Sequence, residues 1–355
     1  MRRPSPFSGL IRSFGLPVTV VIAAIAAVWM IVLILLPQMI MLERSLWTLE
    51  RPADAFEISR QIDELYNDID LLGMDRATLE AAEPSPQRDG DLAALQEEIA
   101  LKETRIAELE ATETEPRKVY SLSNYTRMSA LHVYVFVRTI VASLLVTLLA
   151  FVVCYPVAYT LAHLATPVWA AILMLGLVVP YAINELLRVF AWLMILDYNG
   201  VANTLLTALG GEPIDFVGSS AGVFLAMVYA YVLFMVFPIY NTIQTLDRNQ
   251  IEAARDLGAP LWKIHARIVL PHAKPGIAVG CIMTFMLAAG SYSVPQIVSR
   301  GQGGDWFSQL IYRQFFESFS WNIGAAYAFT LLLACIAFIF AMMALFKVGV
   351  RDIAR

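Results

Sequence analysis

Cysteine and histidine are too sparse for metal or disulfide chemistry: Cys154, Cys281 and Cys335 all fall in apolar stretches, and His132, His163, His265 and His272 are scattered. Neither a zinc constellation nor a disulfide framework is indicated. No glycine-rich GxxxxGK run ending in Ser or Thr is present, which excludes ATP binding by a phosphate loop in this chain. Charge is scarce as well. Charged residues make up 15% of the 355 residues and hydrophobic ones 58%, more apolar material than a soluble core of this length needs. The solvent for most of the chain is therefore a bilayer.

Crossing a hydrocarbon core of about 30 Å takes about 20 apolar residues per helix. Six segments are long enough, near 17–42, 138–162, 168–196, 219–244, 276–298 and 321–346. Basic residues flank them asymmetrically: Arg2, Arg3 and Arg12 at the start, Arg248, Arg255, Lys263, Arg267 and Lys274 before the fifth, and Lys347, Arg351 and Arg355 at the end. The positive-inside bias predicts both termini and the 247–275 loop to be cytoplasmic. The apolar run from Leu16 to Leu36 exceeds a signal-peptide core and no small-residue cleavage site follows Pro37, so a retained anchor is expected, kinked at Pro37.

Acidity is concentrated between the first two spans. Residues 43–115 hold twenty acidic and seven basic residues, a balance of −13, while the rest of the chain balances at +8 to give the overall −5. Within this block Ile58, Ile62, Leu65, Ile69 and Leu72 keep heptad spacing, as do Leu92, Leu95, Ile99, Ile106 and Leu109 with Lys102 at the seam. Two antiparallel helices of about 25 Å each are predicted, joined by a connector from Gly73 to Gly90. The charges read either as a solvated face or as a steering surface for a basic partner. Basic residues in the 247–275 loop belong to a membrane surface and not to nucleic-acid binding.

The run from Glu252 to Pro271 is amphipathic, basic and hinged at glycine. Asp247 is placed as an N-cap, with Gln250 closing a capping box, so a helix carrying Ile251, Ala253, Ala254 and Leu257 is predicted. Gly258 ends it in a left-handed conformation. Pro260 then opens a second helix through Trp262, Ile264 and Ile268, which Pro271 stops. Glu252, Ala253, Ala254, Gly258, Ile268, Leu270 and Pro271 together resemble the EAA signature of permease subunits of binding-protein-dependent ABC importers. The resemblance implies that these seven residues dock on an ATP-hydrolysing subunit.

A narrower likeness covers about residues 138–346. Arg188 to Trp192 in ELLRVFAWLMIL, Phe237 with Pro238, and GSYSVPQIV from Gly290 to Val298 resemble the spermidine/putrescine-type branch of these permeases. That branch often has acidic residues where this chain has Ser291 and Gln296, which weakens the inference to a polycation and leaves amino acids, opines and organophosphonates open as solutes. The likeness implies a permease of the type I importer kind with six membrane helices. Its implied partners are two ATPase subunits that bind ATP and magnesium, a second related permease, preferably a different chain, a periplasmic solute-binding protein and membrane lipid. No cofactor, metal or catalytic residue is expected in this chain.

Ionisable residues inside spans are costly and normally face a cavity or a partner. Asn184, Glu185, Arg188, Ser291 and Tyr292 are therefore candidates for the translocation pathway, although Glu185 and Arg188, three residues apart, also fit a structural ion pair. An N-capped interfacial helix is expected over Asp305 to Phe319. The expected organisation is an all-α polytopic membrane protein: residues 1–42 as N-terminus and first span, 43–132 as a periplasmic helical insertion, 133–346 as a five-helix core and 347–355 as a cytoplasmic tail. Two other classes bear comparison. A secondary transporter is expected to show interrupted spans in an internal symmetry and no docking loop, and a membrane sensor is expected to carry more than the nine residues after Phe346.

Overall fold

The computed structural model describes residues 8–50, 55–80, 86–114, 117–300 and 306–349. The chain forms two compact units, one of Leu46–Thr126 and one of the residues up to Ser45 and from Arg127 onward. Among the described residues six helices are long and apolar enough to cross a membrane. Arg2, Arg3, Arg351, Arg355 and Asp305, invoked above for orientation and a cap, and residues 81–85 of the expected connector lie outside the described residues.

The first span is α1 (Ser8–Met30), a π turn over Ile31–Leu35 and α2 (Leu36–Ser45). The expected kink at Pro37 takes the form of that π turn. Leu36 donates to the Ile31 carbonyl five residues back, so the ladder has already shifted where Pro37 lacks a donor. Gly15, at φ 76°, separates the first turns of α1 from the span proper.

The Leu46–Thr126 unit holds β1 (Trp47–Glu50), α3 (Ala55–Glu80), α4 (Pro86–Thr114), β2 (Arg117–Tyr120) and α5 (Ser123–Thr126). Every heptad residue named above is buried or half-buried, with Ile62 and Ile106 most enclosed. Lys102 reaches across the seam to Asp68 at 2.8 Å, a bond that raises its pKa above the usual lysine range. The helices are longer than expected, 26 and 29 residues, or about 39 and 44 Å. Gly73 and Gly90 lie inside them because a solvent-facing glycine costs a helix only ~1 kcal/mol. Pro86 opens α4, where the missing N–H is harmless. The antiparallel ribbon pairing Trp47 with Tyr120 was not anticipated from the sequence.

The second unit continues with α6 (Ala130–Tyr159), running into a π turn over Thr160–Leu164, then α7 (Pro167–Val178), a 3-10 turn over Val179–Ala182, α8 (Glu185–Leu196) and α9 (Val201–Ala208). The expected third span over 168–196 is broken. Pro180 sits in the 3-10 turn and Asn184 turns extended to cap α8, so the long apolar helical stretch runs instead from Glu185 to Ala208. Asn203, fully enclosed, ties α9 down by bonds to the Tyr198 and Ile214 carbonyls and the Ile214 N–H.

The remaining elements are α10 (Ser220–Ile243), α11 (Arg248–Asp256), α12 (Leu261–Ile264), a π turn over His265–Val269, α13 (Leu270–Gly290), α14 (Ser293–Val298), α15 (Phe307–Phe316) and α16 (Trp321–Phe346). The fifth span therefore ends at Gly290, short of the expected 298. At its centre α6, α10 and α13 pack together. A close approach is made at Gly276, where a Cβ would strike the Pro238 carbonyl and Thr242 of α10. The helix expected at the interface, α15, is set deeper: Trp306, Phe307 and Leu310 are buried, and Phe307 N–H bonds Thr139 Oγ1 at 2.9 Å.

Candidate functional site

The 247–275 segment is built by local rules. Asp247 caps α11 by accepting from Asn249 N–H at 3.0 Å, and Gln250 donates its backbone N–H to the Asp247 carbonyl. That single cap replaces the expected capping box. At the other end Ala259 N–H bonds the Ala254 carbonyl and Gly258 N–H the Arg255 carbonyl, the two bonds of a Schellman turn. Gly258 takes φ 76°, as its lack of Cβ permits. Open space surrounds it, with no atom within 4 Å of an added Cβ.

Pro260 is the N-cap position of the second helix and not its first helical residue. Pro271 does not stop that helix. Leu270 donates back to His265 across the π turn, so the ladder has already skipped when Pro271 arrives, and the helix runs unbroken from Leu261 to Gly290. The same device bridges Pro37.

Among the signature residues Glu252, Ala253, Gly258 and Pro271 are exposed, whereas Ala254, Ile268 and Leu270 are half-buried against the core. Ile251 and Ile264 anchor the two helices inward. Leu257, Leu261 and Trp262 are 88%, 62% and 71% exposed. The sequence puts Leu257 on the first helix and Trp262 on the second without giving their direction, because helical period cannot say which side faces the chain's own core. The Schellman turn and Pro260 reset the phase between the two helices.

This edge is wired to the membrane core. Tyr155 of α6 and His265 share a hydrogen bond at 2.7 Å, and Tyr159 meets the His265 ring edge-on at 4.5 Å. Thr245 and His272 share another at 3.0 Å. The π turn that carries His265 thus meets the end of α6 at Tyr155 and Tyr159, and His163 of the Thr160–Leu164 turn adds its ring against Tyr159 at 5.5 Å.

The pathway candidates separate. Asn184 is a helix cap, accepting from Leu186 N–H at 2.9 Å. Glu185 is exposed and does not pair with Arg188, whose guanidinium lies over the Tyr181 ring at 4.3 Å instead. Tyr181 in turn donates toward the Tyr229 and Ala230 carbonyls and accepts from Leu233 N–H. Tyr231, buried on α10, interacts electrostatically with Glu185, Arg188 and Tyr181 and completes a polar cluster inside the span region. Arg188 Nε and Ser291 Oγ are buried there without a hydrogen-bond partner. Tyr292 stands apart, its ring tilted against that of Tyr312 at 4.7 Å. Gln296 accepts from Gln309 Nε2 at 2.5 Å and Ser308 Oγ bonds the Ser291 carbonyl, so α15 holds both positions. Among the described residues no group of three or more His, Cys, Asp or Glu comes together to hold a metal.

Residues 128–353 match the family model described as binding-protein-dependent transport system inner membrane component. The chain is 34% identical to the spermidine/putrescine transport system permease protein PotB of Escherichia coli (strain K12) over 218 residues, 61% of this chain and 78% of that one. It is 33% identical to the inner membrane ABC transporter permease protein YdcU of the same organism over 171 residues, 44% of this chain and 53% of that one. A chain in the crystal structure of a bacterial alginate ABC transporter, in complex with alginate pentasaccharide-bound periplasmic protein, superposes with a TM-score of 0.56 at 17% identity, covering 65% of this chain and 85% of that one. This similarity concerns the fold alone. With the helical order, the EAA-like edge and the family match in agreement, the chain belongs to the inner-membrane components of binding-protein-dependent transport systems, as a non-catalytic, multi-pass ABC importer permease subunit.

Proposed function

We infer that this permease supplies half of an alternating-access pathway and couples it to ATP hydrolysis in two ATPase subunits through α11 and α12, with the 247–275 loop and both termini in the cytoplasm. The observation that carries the reading is the exposed apolar triad Leu257, Leu261 and Trp262, set around Gly258 at the tip of a helix continuous with the fifth span. Exposed apolar residues of this size next to small alanines fit the core of a protein interface. Glu252, Ala253, Ala254, Gly258, Ile268, Leu270 and Pro271 frame or support that surface. The other half of the pathway is a second, different permease, and a periplasmic binding protein delivers the solute.

The solute is a small polar organic molecule. The PotB relatives are named for spermidine and putrescine, which makes polyamines the first compounds to screen. The neutral Ser291 and Gln296 keep amino acids, opines and organophosphonates in the same screen. Arg188, Tyr181, Tyr231 and Ser291 line the route, with Asn184 and Glu185 at its edge and Tyr292 beyond.

Purification from native membranes in mild detergent tests the assembly. An ATPase and a second permease are expected with the wild-type chain, and loss of the ATPase alone with Gly258→Asp. Recovery of this chain without companions, under conditions that preserve other importers, would return the secondary-transporter reading to the front.

A further inference from the structure

Apart from the polar cluster, α6, α13 and α16 leave between them a lateral cavity of about 570 Å³, whose wall includes Leu270 and Pro271. Its wall is apolar, with Leu148 and Phe151 from α6, Ile277 from α13, and Phe338 and Phe346 from α16. Among the described residues the one charged side chain in the wall is Lys274. Among the described residues Lys274 has no ion-pair or hydrogen-bond partner, and no acidic side chain lines the cavity. Two further cations adjoin it in sequence. Arg267 follows the lining residue Ala266, and Lys347 follows the lining residue Phe346; both are exposed.

The dimensions and the charge point the same way. Lining residues extend from Phe338 to Phe346 along α16, about 12 Å at the helical rise. That length fits within one leaflet of a core about 30 Å thick. A water-filled cavity with such walls is unfavourable, and a bulk zwitterionic lipid would fill it without using Lys274. A basic group beside an apolar cleft at the cytoplasmic side of a membrane protein suits a lipid carrying net negative charge, and a lysine can lay its stem along the cleft while its ammonium reaches the phosphate.

From this combination we propose that the α6–α13–α16 cleft is a binding site for one anionic phospholipid of the cytoplasmic leaflet, its acyl chain against Leu148, Phe151, Ile277 and Phe338 and its headgroup at Lys274 and Lys347. The site borders Leu270 and Pro271, at the point where the docking helix enters the membrane. A bound lipid there fills the space into which the start of α13 would otherwise shift, so anionic lipid supports the packing of that helix. The leaflet assignment rests on the orientation inferred above, which a separate thiol-labelling measurement on Leu257→Cys checks independently.

The experiment is fluorescence quenching on the assembled importer in nanodiscs of phosphatidylcholine. A Leu148→Trp substitution puts a reporter in the wall, and wild type supplies the background. Brominated phosphatidylglycerol or brominated phosphatidylcholine is added at the same low mole fraction. The expected result is stronger quenching by the phosphatidylglycerol, with about a fivefold loss of preference for each of Lys274→Gln and Lys347→Gln. Equal quenching by both lipids would reduce the cleft to bulk lipid contact and overturn the proposal. No quenching by either would show the cleft covered by protein, such as a helix of the second permease, and overturn it equally. Both lysines are exposed, so the variants are expected to assemble; importer recovery and ATPase activity, measured alongside, separate failure of this site from failure of the transport reading.

Discussion

Tyr155 and His265 share a hydrogen bond at 2.7 Å between the last turns of α6 and the π turn that precedes α13. Tyr155 is half-buried, and its ring also lies against Phe151, a residue of the lateral cleft. The bond therefore joins the 247–275 segment to the helix core beside the lateral cleft. Tyr155→Phe removes it while keeping the ring. With a net value of about 1 kcal/mol for such a bond, solute uptake is expected to fall severalfold while ATPase subunits still co-purify. Unchanged uptake would show that the bond carries no coupling.

Gly258 allows conformation and interface to be separated. In the isolated chain its surroundings are open, so Gly258→Ala meets only the backbone cost of a left-handed residue, about 1–2 kcal/mol. Uptake is expected to be reduced but measurable. Gly258→Asp adds charge and bulk at the apolar tip and is expected to abolish uptake with normal membrane insertion. Equal uptake in the two variants, read by radiolabelled solute accumulation, would remove the tip from the interface.

Gly276 makes a different prediction, because there the added atom meets a backbone carbonyl and not solvent. Gly276→Leu is expected to cost 1–3 kcal/mol or more by overpacking, roughly, and to lower the melting temperature of the detergent-solubilised chain. A melting temperature equal to wild type would show that α10 and α13 do not pack as closely as they do in this structure.

Ile62 and Ile106 are the most enclosed residues of the helical hairpin. Truncating either to alanine is expected to destabilise that unit by about 2–5 kcal/mol and to open it to limited proteolysis. The membrane unit should keep its protease resistance, as measured on the same gel. Resistance unchanged in the hairpin would mean that the seam contributes little.

Arg188 stacks on Tyr181 and leaves its Nε without a partner. Arg188→Lys retains the charge and loses the planar stacking surface. A loss of roughly 0.5–2 kcal/mol from a cation–π contact translates into an uptake deficit of a few-fold to about thirtyfold. Assembly with the ATPase should be intact, checked by co-purification. Uptake equal to wild type would exclude the stack from the route.

What the sequence disclosed, and what it concealed, follows from range. Heptad spacing placed Ile62 and Ile106 correctly because a seam is a local property of each helix. Gly258 was likewise legible, since a Schellman turn needs only the few residues around it. Pro271 was read as a stop, yet its effect depends on a π turn that begins six residues earlier and is held by Tyr155 from another span. Leu257 and Trp262 face solvent here, a fact that periodicity alone does not decide. Arg188 meets Tyr181 rather than Glu185 because Tyr181 comes from the 3-10 turn before the break at Asn184, and that break interrupts what composition presents as one apolar run.

The unbroken helix from Leu261 to Gly290 is 30 residues long, a pushrod of about 45 Å. Its lower end carries Trp262 and its upper end adjoins Ser291. The π turn lies near its lower end, and beyond it the helix runs to Gly290 without a break. Tilting it by about 10° around its midpoint would carry the two ends about 4 Å in opposite directions at this length, so a small inward pull at Trp262 becomes an outward swing beside the polar cluster.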